Sequence, residues 1–378
     1  MSETNEVVII GGGAAGCASA YYLAQAGVHA TIVEHEGIAG NASGYNAGGL
    51  NPLQGAGIPG ALAPFAIESF QMHRVLADLL PTEAGIDYHY QTTGMMTVAF
   101  DDAERLAMRE TFDIFQTTTG FSAQWLDTAD LREFEPRVAP HAIQGLYTHG
   151  NATLSSYAYV TALSQAAERA GARLCPGVAT GFKTSGNRVV SVILDGGELP
   201  CETVVVANGP WSGEAGKWLG VSIPVEPLKG EIVRIELPGG PLRADFTGMG
   251  SSLYQRADGL VWVGSTEERV GFDKHPSASS RLKLLDAATR LMPSVGEAKV
   301  VKHTACLRPV TSDWLPIIGR APGWENVYLA TGAGKKGILL SPGIGKATAD
   351  LVTTGHTELS IAPFAPERFS GSAEQGDR

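Results

Sequence analysis

Three glycines, Gly11, Gly13 and Gly16, stand in G-x-G-x-x-G spacing, with Ala14 and Ala15 before the third. A turn of this kind holds a pyrophosphate. Gly11 permits the tight turn. Gly13 lets the phosphates approach the backbone. Gly16 lets the following helix pack close to the preceding strand. Glu34, with His35 beside it, ends the next apolar run. A carboxylate there accepts hydrogen bonds from a ribose 2′-hydroxyl and would repel a 2′-phosphate. The chemistry indicated is the binding of a dinucleotide without a 2′-phosphate.

A lone glycine motif is weak evidence, so the surrounding elements decide. Val7, Val8, Ile9 and Ile10 form a short apolar run suited to a strand buried on both faces. Ala18, Ala20, Leu23 and Ala24 supply the small and apolar positions of a helix packed on that sheet, and Gly27 stops it. Thr31, Ile32 and Val33 make the second strand. The start of the helix offers free N–H groups and a positive dipole end to the phosphates.

Further along, residues 37–60 form a glycine-dense loop of a length that usually carries function. Helices are expected at 64–80, near 101–120 and at 154–170. Strands are expected at 94–100, 187–194, 199–206, 232–235, 260–263 and 326–331. The strand ending at Val206 empties into Ala207, Asn208 and Gly209. Ligands bind beyond the carboxyl ends of parallel strands, so this turn should lie near Gly11. The strand ending at Thr331 enters a second glycine turn, residues 332–337, and a closing helix from about Pro342.

The expected class is α/β, with two interleaved domains. The nucleotide domain would be built from 1–84, 151–220 and 316–366. A substrate domain on a mixed or antiparallel sheet would come from 85–150 and 221–315. Residues 367–378, rich in Ser, Gly, Glu and Gln, would be a flexible tail. A ligand cleft is expected between the two domains.

A net charge of −11 over 378 residues argues against nucleic acid or an anionic membrane as partner. Cys17, Cys175, Cys201 and Cys306 are scattered, with no C-x-x-C pair, so no zinc or dithiol motif is expected. The acidic N-terminus runs directly into the first strand, without a basic region or a long apolar segment. The expectation is a cytoplasmic protein with no transmembrane segment.

Six motifs in order identify the chain as a member of the D-amino-acid oxidase family of flavoproteins, with a pattern similar to glycine oxidases. Sarcosine oxidases and D-amino-acid dehydrogenases are near relatives. The motifs are GGGAAG with VEHE, NASGYNAGGL, VVVANGPWSG, VGSTEERVGFD, CLRPVTSDWLPIIG and ATGAGKKGILLSPGIG. The resemblance covers nearly the whole chain. It implies that FAD is the cofactor and that residues 11–16 and Glu34 hold its ADP half. It implies that Ala42, Ser43, Ala47, Gly48 and Gly49 run beside the pyrophosphate and flavin, and that Val178 meets adenine. It also implies that Gly334, Lys335, Lys336, Gly337, Ile338 and Leu339 cover the flavin ring.

Flavin amine oxidation removes a hydride from the carbon bearing the amine, so the protein must hold that carbon against the cofactor and anchor the rest. Arginine suits a carboxylate anchor through its two-pronged hydrogen bond. The resemblance implies that Arg308 is this anchor. Its alternative is a structural arginine paired with Asp313 or the sheet edge. Lys335 matches a second arginine of glycine oxidases; it either binds a carboxylate or faces solvent. Where the family carries a tyrosine on the substrate carboxylate, this chain has Ser252. Tyr254, two residues on, shares its strand face and could substitute. Cys306 matches a position that carries covalent flavin in sarcosine oxidases; a buried cysteine is otherwise a small apolar residue. His303 is expected to be structural, Trp211 to pack, and Trp314 to wall the pocket. No catalytic base is assigned.

The implied reaction is FAD-dependent oxidation of glycine, sarcosine or a D-amino acid to an imine, which hydrolyses to a 2-oxo acid. Oxygen or another acceptor would take the electrons. Alternatives are oxidation of a 2-hydroxy acid, a flavin subunit of a larger assembly, and an NAD-dependent dehydrogenase. A homo-oligomer or a partner subunit is compatible with the sequence.

Overall fold

Val7 and Ile9 point into one core, and Val8 and Ile10 into another. This is why the first strand, Asn5–Ile10, is apolar on both faces: helices cover one side of its sheet and a second layer covers the other. The computed structural model describes residues 5–370.

The first sheet runs in the order Ile317–Arg320, Val327–Thr331, Gly197–Val206, Asn5–Ile10, Ala30–Glu34, Arg173–Pro176. Its pairs are parallel except at the Ile317–Arg320 edge. A hairpin, Ala179–Ser185 and Arg188–Leu194, extends from the first half of Gly197–Val206. Helices Ala14–Gln25, Ala63–Ala84, Ser156–Arg169 and Gly337–Thr354 pack together over one face. The first and last of these approach so closely that a Cβ on Gly345 would strike Ala18.

The second sheet contains Lys299–Val310, Glu226–Glu236, Val261–Gly264, Ser251–Gln255, Asp245–Gly248, Gln91–Ala99, Gln144–Thr153 and Gly49–Leu50, in that order, with Ser122–Leu126 added on Gln144–Thr153. It is antiparallel apart from Asp245–Gly248 against Gln91–Ala99. Helix Ala278–Leu291 closes its core with Leu284, Ala288 and Leu291. The segment 1–84 does not stay with the first sheet. Gly49–Leu50 pairs with Gln144–Thr153, because the long loop crosses between the layers and Gly48 O accepts Leu154 N–H at 3.0 Å.

Two expectations fail for identifiable reasons. The closing helix begins at Gly337, so Pro342 lies inside it. A proline there leaves the carbonyl four residues earlier, Ile338 O, without its helical donor. That carbonyl instead lies 2.9 Å from His73 Nε2 and accepts Ser341 Oγ–H at 2.8 Å. Burial pushes the His73 pKa down to about 4, so the imidazole is a neutral donor. The other is the flexible tail expected from residue 367, which is contradicted over its first residues. Residues 366–369 form a short turn, and Arg368 donates to Asp313 Oδ2 at 2.8 Å and to Leu315 O and Pro316 O at 3.0 Å. Residues 371–378 lie outside the described residues. Among the described residues no helix is long and apolar enough to cross a membrane.

Candidate active site

Gly11 has a φ of 111°, and a Cβ on it would sit 2.5 Å from Ala207 O. Only glycine fits this meeting of two strand ends. Gly16 likewise has no room for a Cβ against Gly11 O, which sets the helix tight on the strand. Gly13 differs: its φ is an ordinary −81°, and a Cβ there would meet only Ser43 Oγ, at 3.2 Å. The space before Gly13 is therefore reserved for a ligand rather than for the fold. Glu34 is held for its task. Its Oε2 accepts Gly12 N–H at 2.7 Å, and its Oε1 accepts the N–H groups of His35 at 2.8 Å and Glu36 at 2.7 Å.

A cavity of about 1120 Å³ runs from this cradle, under the 37–60 loop, to the second sheet. It is large enough for a dinucleotide and a small ligand together. Two helices open onto it, Ala14–Gln25 and Gly337–Thr354. Neither has a side-chain cap from its own N-cap residue or an acid in its first turn. Helices beginning after Asp101, Asp127, Ser155 and Ser277 are capped by those side chains, whereas those starting at Ala42, Ala63 and Ser212 are not. The starts of Ala14–Gln25 and Gly337–Thr354 leave N–H groups and positive dipole ends for an anion. On the first, Ala14 N–H donates to Ser43 Oγ at 2.9 Å. These residues fit the diphosphate, ribose and electron-rich ring of an adenine dinucleotide.

Most of the expected residues line this cavity: Gly11, Gly13, Ala14, Ala15, Glu34 and His35 at the cradle; Ala42, Ser43, Ala47 and Gly49 in the loop; and Val178, Ala207 and Gly209 around the strand ends. From the far turn come Gly334, Lys335, Lys336, Gly337 and Ile338. Four stand behind the wall. Gly16 packs the helix, Gly48 packs the loop on Leu154, Leu339 is buried in the helical core, and Ser252 donates to Thr247 Oγ1 at 3.0 Å. Tyr254 reaches the wall, with the Arg256 guanidinium 4.9 Å above its ring, and burial raises its hydroxyl pKa.

Arg308 is not paired with Asp313, whose partner is Arg368. Its guanidinium donates to Thr266 O at 3.0 Å and Ser265 Oγ at 2.8 Å. No carboxylate among the described residues lies within ion-pair distance of it. The group lies flat over Gly230, where a Cβ would fall into the guanidinium. A glycine inside the strand Glu226–Glu236 thus makes room for the arginine. Gly230→Ala is expected to dislodge Arg308, lowering kcat/KM roughly 10–100-fold with FAD content unchanged. Steady-state kinetics on the purified variant check this.

Lys335 lies partly exposed on the cavity wall. It pairs with Glu267 and lies 4.9 Å from the Trp314 ring centroid. Trp314 therefore supports Lys335. Lys229 is buried between Glu231 at 3.3 Å and Asp273 at 2.9 Å. Lys336 is different: it lines the cavity and donates to Asn51 O at 3.0 Å and to Gln54 O, and burial pushes its pKa down to about 8. Cys306 is on the cavity wall, and burial raises its thiol pKa. Trp211 stacks on Phe272 at 5.9 Å, and His303 Nε2 lies 2.7 Å from Glu231 Oε2.

Sequence reasoning missed Gly230, whose signal was its position within an apolar strand. It also missed the buried Arg256–Asp245 pair, 2.9 Å apart, in which Arg256 also donates to Ala47 O and so fixes the loop to the second sheet. Asn51 and Gln54 act through backbone carbonyls, which leave no mark on residue type.

This is the build of a dinucleotide-dependent oxidoreductase whose ligand chamber lies between two interleaved sheets. The DAO family model, described as FAD dependent oxidoreductase, matches residues 6–351, and the chain belongs to that family. Its cofactor is therefore FAD rather than NAD. Glycine oxidase of Geobacillus kaustophilus (strain HTA426) is 31% identical over 373 residues, covering 98% of this chain and 99% of the relative. The crystal structure of glycine oxidase from Geobacillus kaustophilus matches with a TM-score of 0.91 at 29% identity, covering 97% of this chain and 99% of that one. Hydrogen cyanide synthase subunit HcnC of Pseudomonas aeruginosa is 30% identical over 406 residues, covering 98% of this chain and 97% of the relative.

Proposed function

We propose that this protein oxidises the CH–NH or CH–NH₂ group of a small amino acid, of the glycine, sarcosine or D-amino-acid type. The observation that carries this is Arg308. It is a guanidinium without a carboxylate partner among the described residues, in the same cavity as the dinucleotide cradle. Arg308 would hold the substrate carboxylate in a two-pronged hydrogen bond. Tyr254, kept protonated by burial, would add a hydroxyl donor. FAD, when bound in the cradle, would supply the hydride-accepting chemistry; Arg308 and Tyr254 would hold the substrate so that its α carbon gives up a hydride and its amine a proton. The resulting imine hydrolyses to a 2-oxo acid. The uncapped start of Gly337–Thr354 presents a positive dipole end to the cavity, where negative charge develops. A substrate entering as the neutral amine needs no protein base.

Burial keeps the Cys306 thiol protonated, and the thiolate is the nucleophile, so FAD is proposed to bind non-covalently. Four unpaired cysteines suit a reducing compartment such as the cytoplasm. A partner-dependent subunit is the second reading, supported by the likeness to the HcnC subunit.

The test is an absorbance spectrum followed by anaerobic addition of glycine, sarcosine, D-amino acids and 2-hydroxy acids. Bleaching of the flavin band by an amine, with ammonia or amine released, is the expected result. Bleaching by hydroxy acids alone overturns it. Re-oxidation in air names oxygen as acceptor, while a bleached protein stable in air, or a band no substrate bleaches, favours the partner-dependent subunit. Acid precipitation should release the flavin.

A further inference from the structure

Two positive charges on the cavity wall have no carboxylate partner among the described residues. Three cationic side chains other than histidine line it: Arg308, Lys335 and Lys336. Lys335 is paired with Glu267. Among the described residues, neither Arg308 nor Lys336 has a carboxylate within ion-pair distance. The acids on the wall are already engaged. Glu34 takes three backbone N–H groups, Glu36 pairs with Lys274, Glu104 takes Phe100 N–H, Glu214 pairs with Lys217, and Asp245 pairs with Arg256.

Lys336 is held so that its charge remains available. Its ammonium has three protons. Two go to the carbonyls of Asn51 and Gln54. Those carbonyls are fixed in turn, because Asn51 Oδ1 accepts Leu53 N–H at 3.0 Å and Gln54 Nε2 donates to Thr111 Oγ1 at 2.5 Å. One N–H remains for a guest. A buried cation among neutral dipoles is costly, and an anion beside it relieves that cost. The uncapped helix start at Gly13 would take the phosphates of the dinucleotide on backbone N–H groups. The turn 334–336 instead packs on the strand end that carries Arg308: a Cβ on Gly334 would lie 3.8 Å from Val310 Cγ1 and 4.0 Å from Pro309 O.

We propose that the preferred substrates are amino acids with a second carboxylate, the α-carboxylate resting on Arg308 and the second on Lys336. Acidic D-amino acids and N-carboxyalkyl glycines have this chemistry. The proposal rests on the amine-oxidation reading above for its chemistry, and the second carboxylate takes part only in binding. A single anchor would suffice for glycine. With the phosphates held at the Gly13 end, a monoacid on Arg308 would leave Lys336 without a carboxylate.

The holoenzyme is titrated anaerobically with oxydiacetate and with methoxyacetate, following the flavin absorbance. These two ethers differ by one carboxylate and cannot lose an amine hydride. Oxydiacetate should bind at least about tenfold more tightly. Lys336→Met should bring the two ligands within about twofold, and Lys336→Arg should keep the gap. Equal binding by the wild-type enzyme overturns the proposal, and so does a gap that survives in Lys336→Met. If Lys336→Met does not fold, the wild-type comparison decides alone. In turnover, iminodiacetate should exceed sarcosine, and D-aspartate should exceed D-alanine, in kcat/KM. A protein that prefers oxydiacetate but is bleached by no amine would retain the two-cation site and refute the amine chemistry. A protein bleached by sarcosine without any diacid preference would do the reverse.

Discussion

Arg308→Ala is expected to leave FAD bound and to raise KM steeply, costing roughly 2–5 kcal/mol in kcat/KM, or about thirtyfold to several thousandfold. The size follows from what the guanidinium does not touch. With no acid partner among the described residues, its removal leaves no buried carboxylate uncompensated. It gives up hydrogen bonds to Thr266 O and Ser265 Oγ, both on the segment beside the cavity. The loss therefore falls on the ligand carboxylate and not on the fold. Arg308→Lys should recover only part of the activity, since lysine keeps the charge but not the planar fork. Steady-state kinetics with flavin absorbance as the control measure both. Unchanged kinetics would remove Arg308 as the carboxylate anchor.

The parts of this site that were legible in the sequence are those where residue type is dictated by space. Gly11 and Gly16 are forced by a strand end and a helix that nearly touch, and the apolar run from Val7 to Ile10 by burial on both faces. The same logic reached Ala207 and Gly209, because a strand that empties into small residues must end beside the cradle. For Lys336 it was the family resemblance that pointed to the cavity, and not the contacts that hold the side chain there. That side chain is fixed by two loop carbonyls, and backbone oxygens are the same whatever the sequence. Nor did residue type reach the partner of Asp313. Arg368 comes from a segment whose composition reads as disordered, yet its side chain ties it to the loop at Asp313, Leu315 and Pro316. Pro342 misled for a local reason. A proline usually marks a helix start, but here His73 and Ser341 serve the carbonyl it abandons, so the helix runs through it.

The three glycines of the cradle separate fold from cofactor, and Gly13→Val is the variant that exploits this. It is expected to yield a folded, colourless protein that takes up no FAD. Gly11 and Gly16 cannot serve, because a Cβ at either meets backbone and disturbs the sheet or the helix itself. At Gly13 the backbone is extended, a conformation valine adopts readily, and the nearest obstacle is the rotatable Ser43 hydroxyl at 3.2 Å. The branched side chain then occupies the volume that the phosphates need in order to reach the helix N-terminus. Backbone N–H bonds to phosphate are charge-assisted, and they cannot be made across a displaced distance. Circular dichroism should show the wild-type helix content while the flavin band is missing, even after incubation with excess FAD. A yellow, active Gly13→Val protein would mean that the phosphates do not approach this turn. The pyrophosphate would then be sought at a second uncapped start on the cavity, Gly337, with Lys336 beside it. In that case the second cation would belong to the cofactor, and the diacid preference would disappear with it.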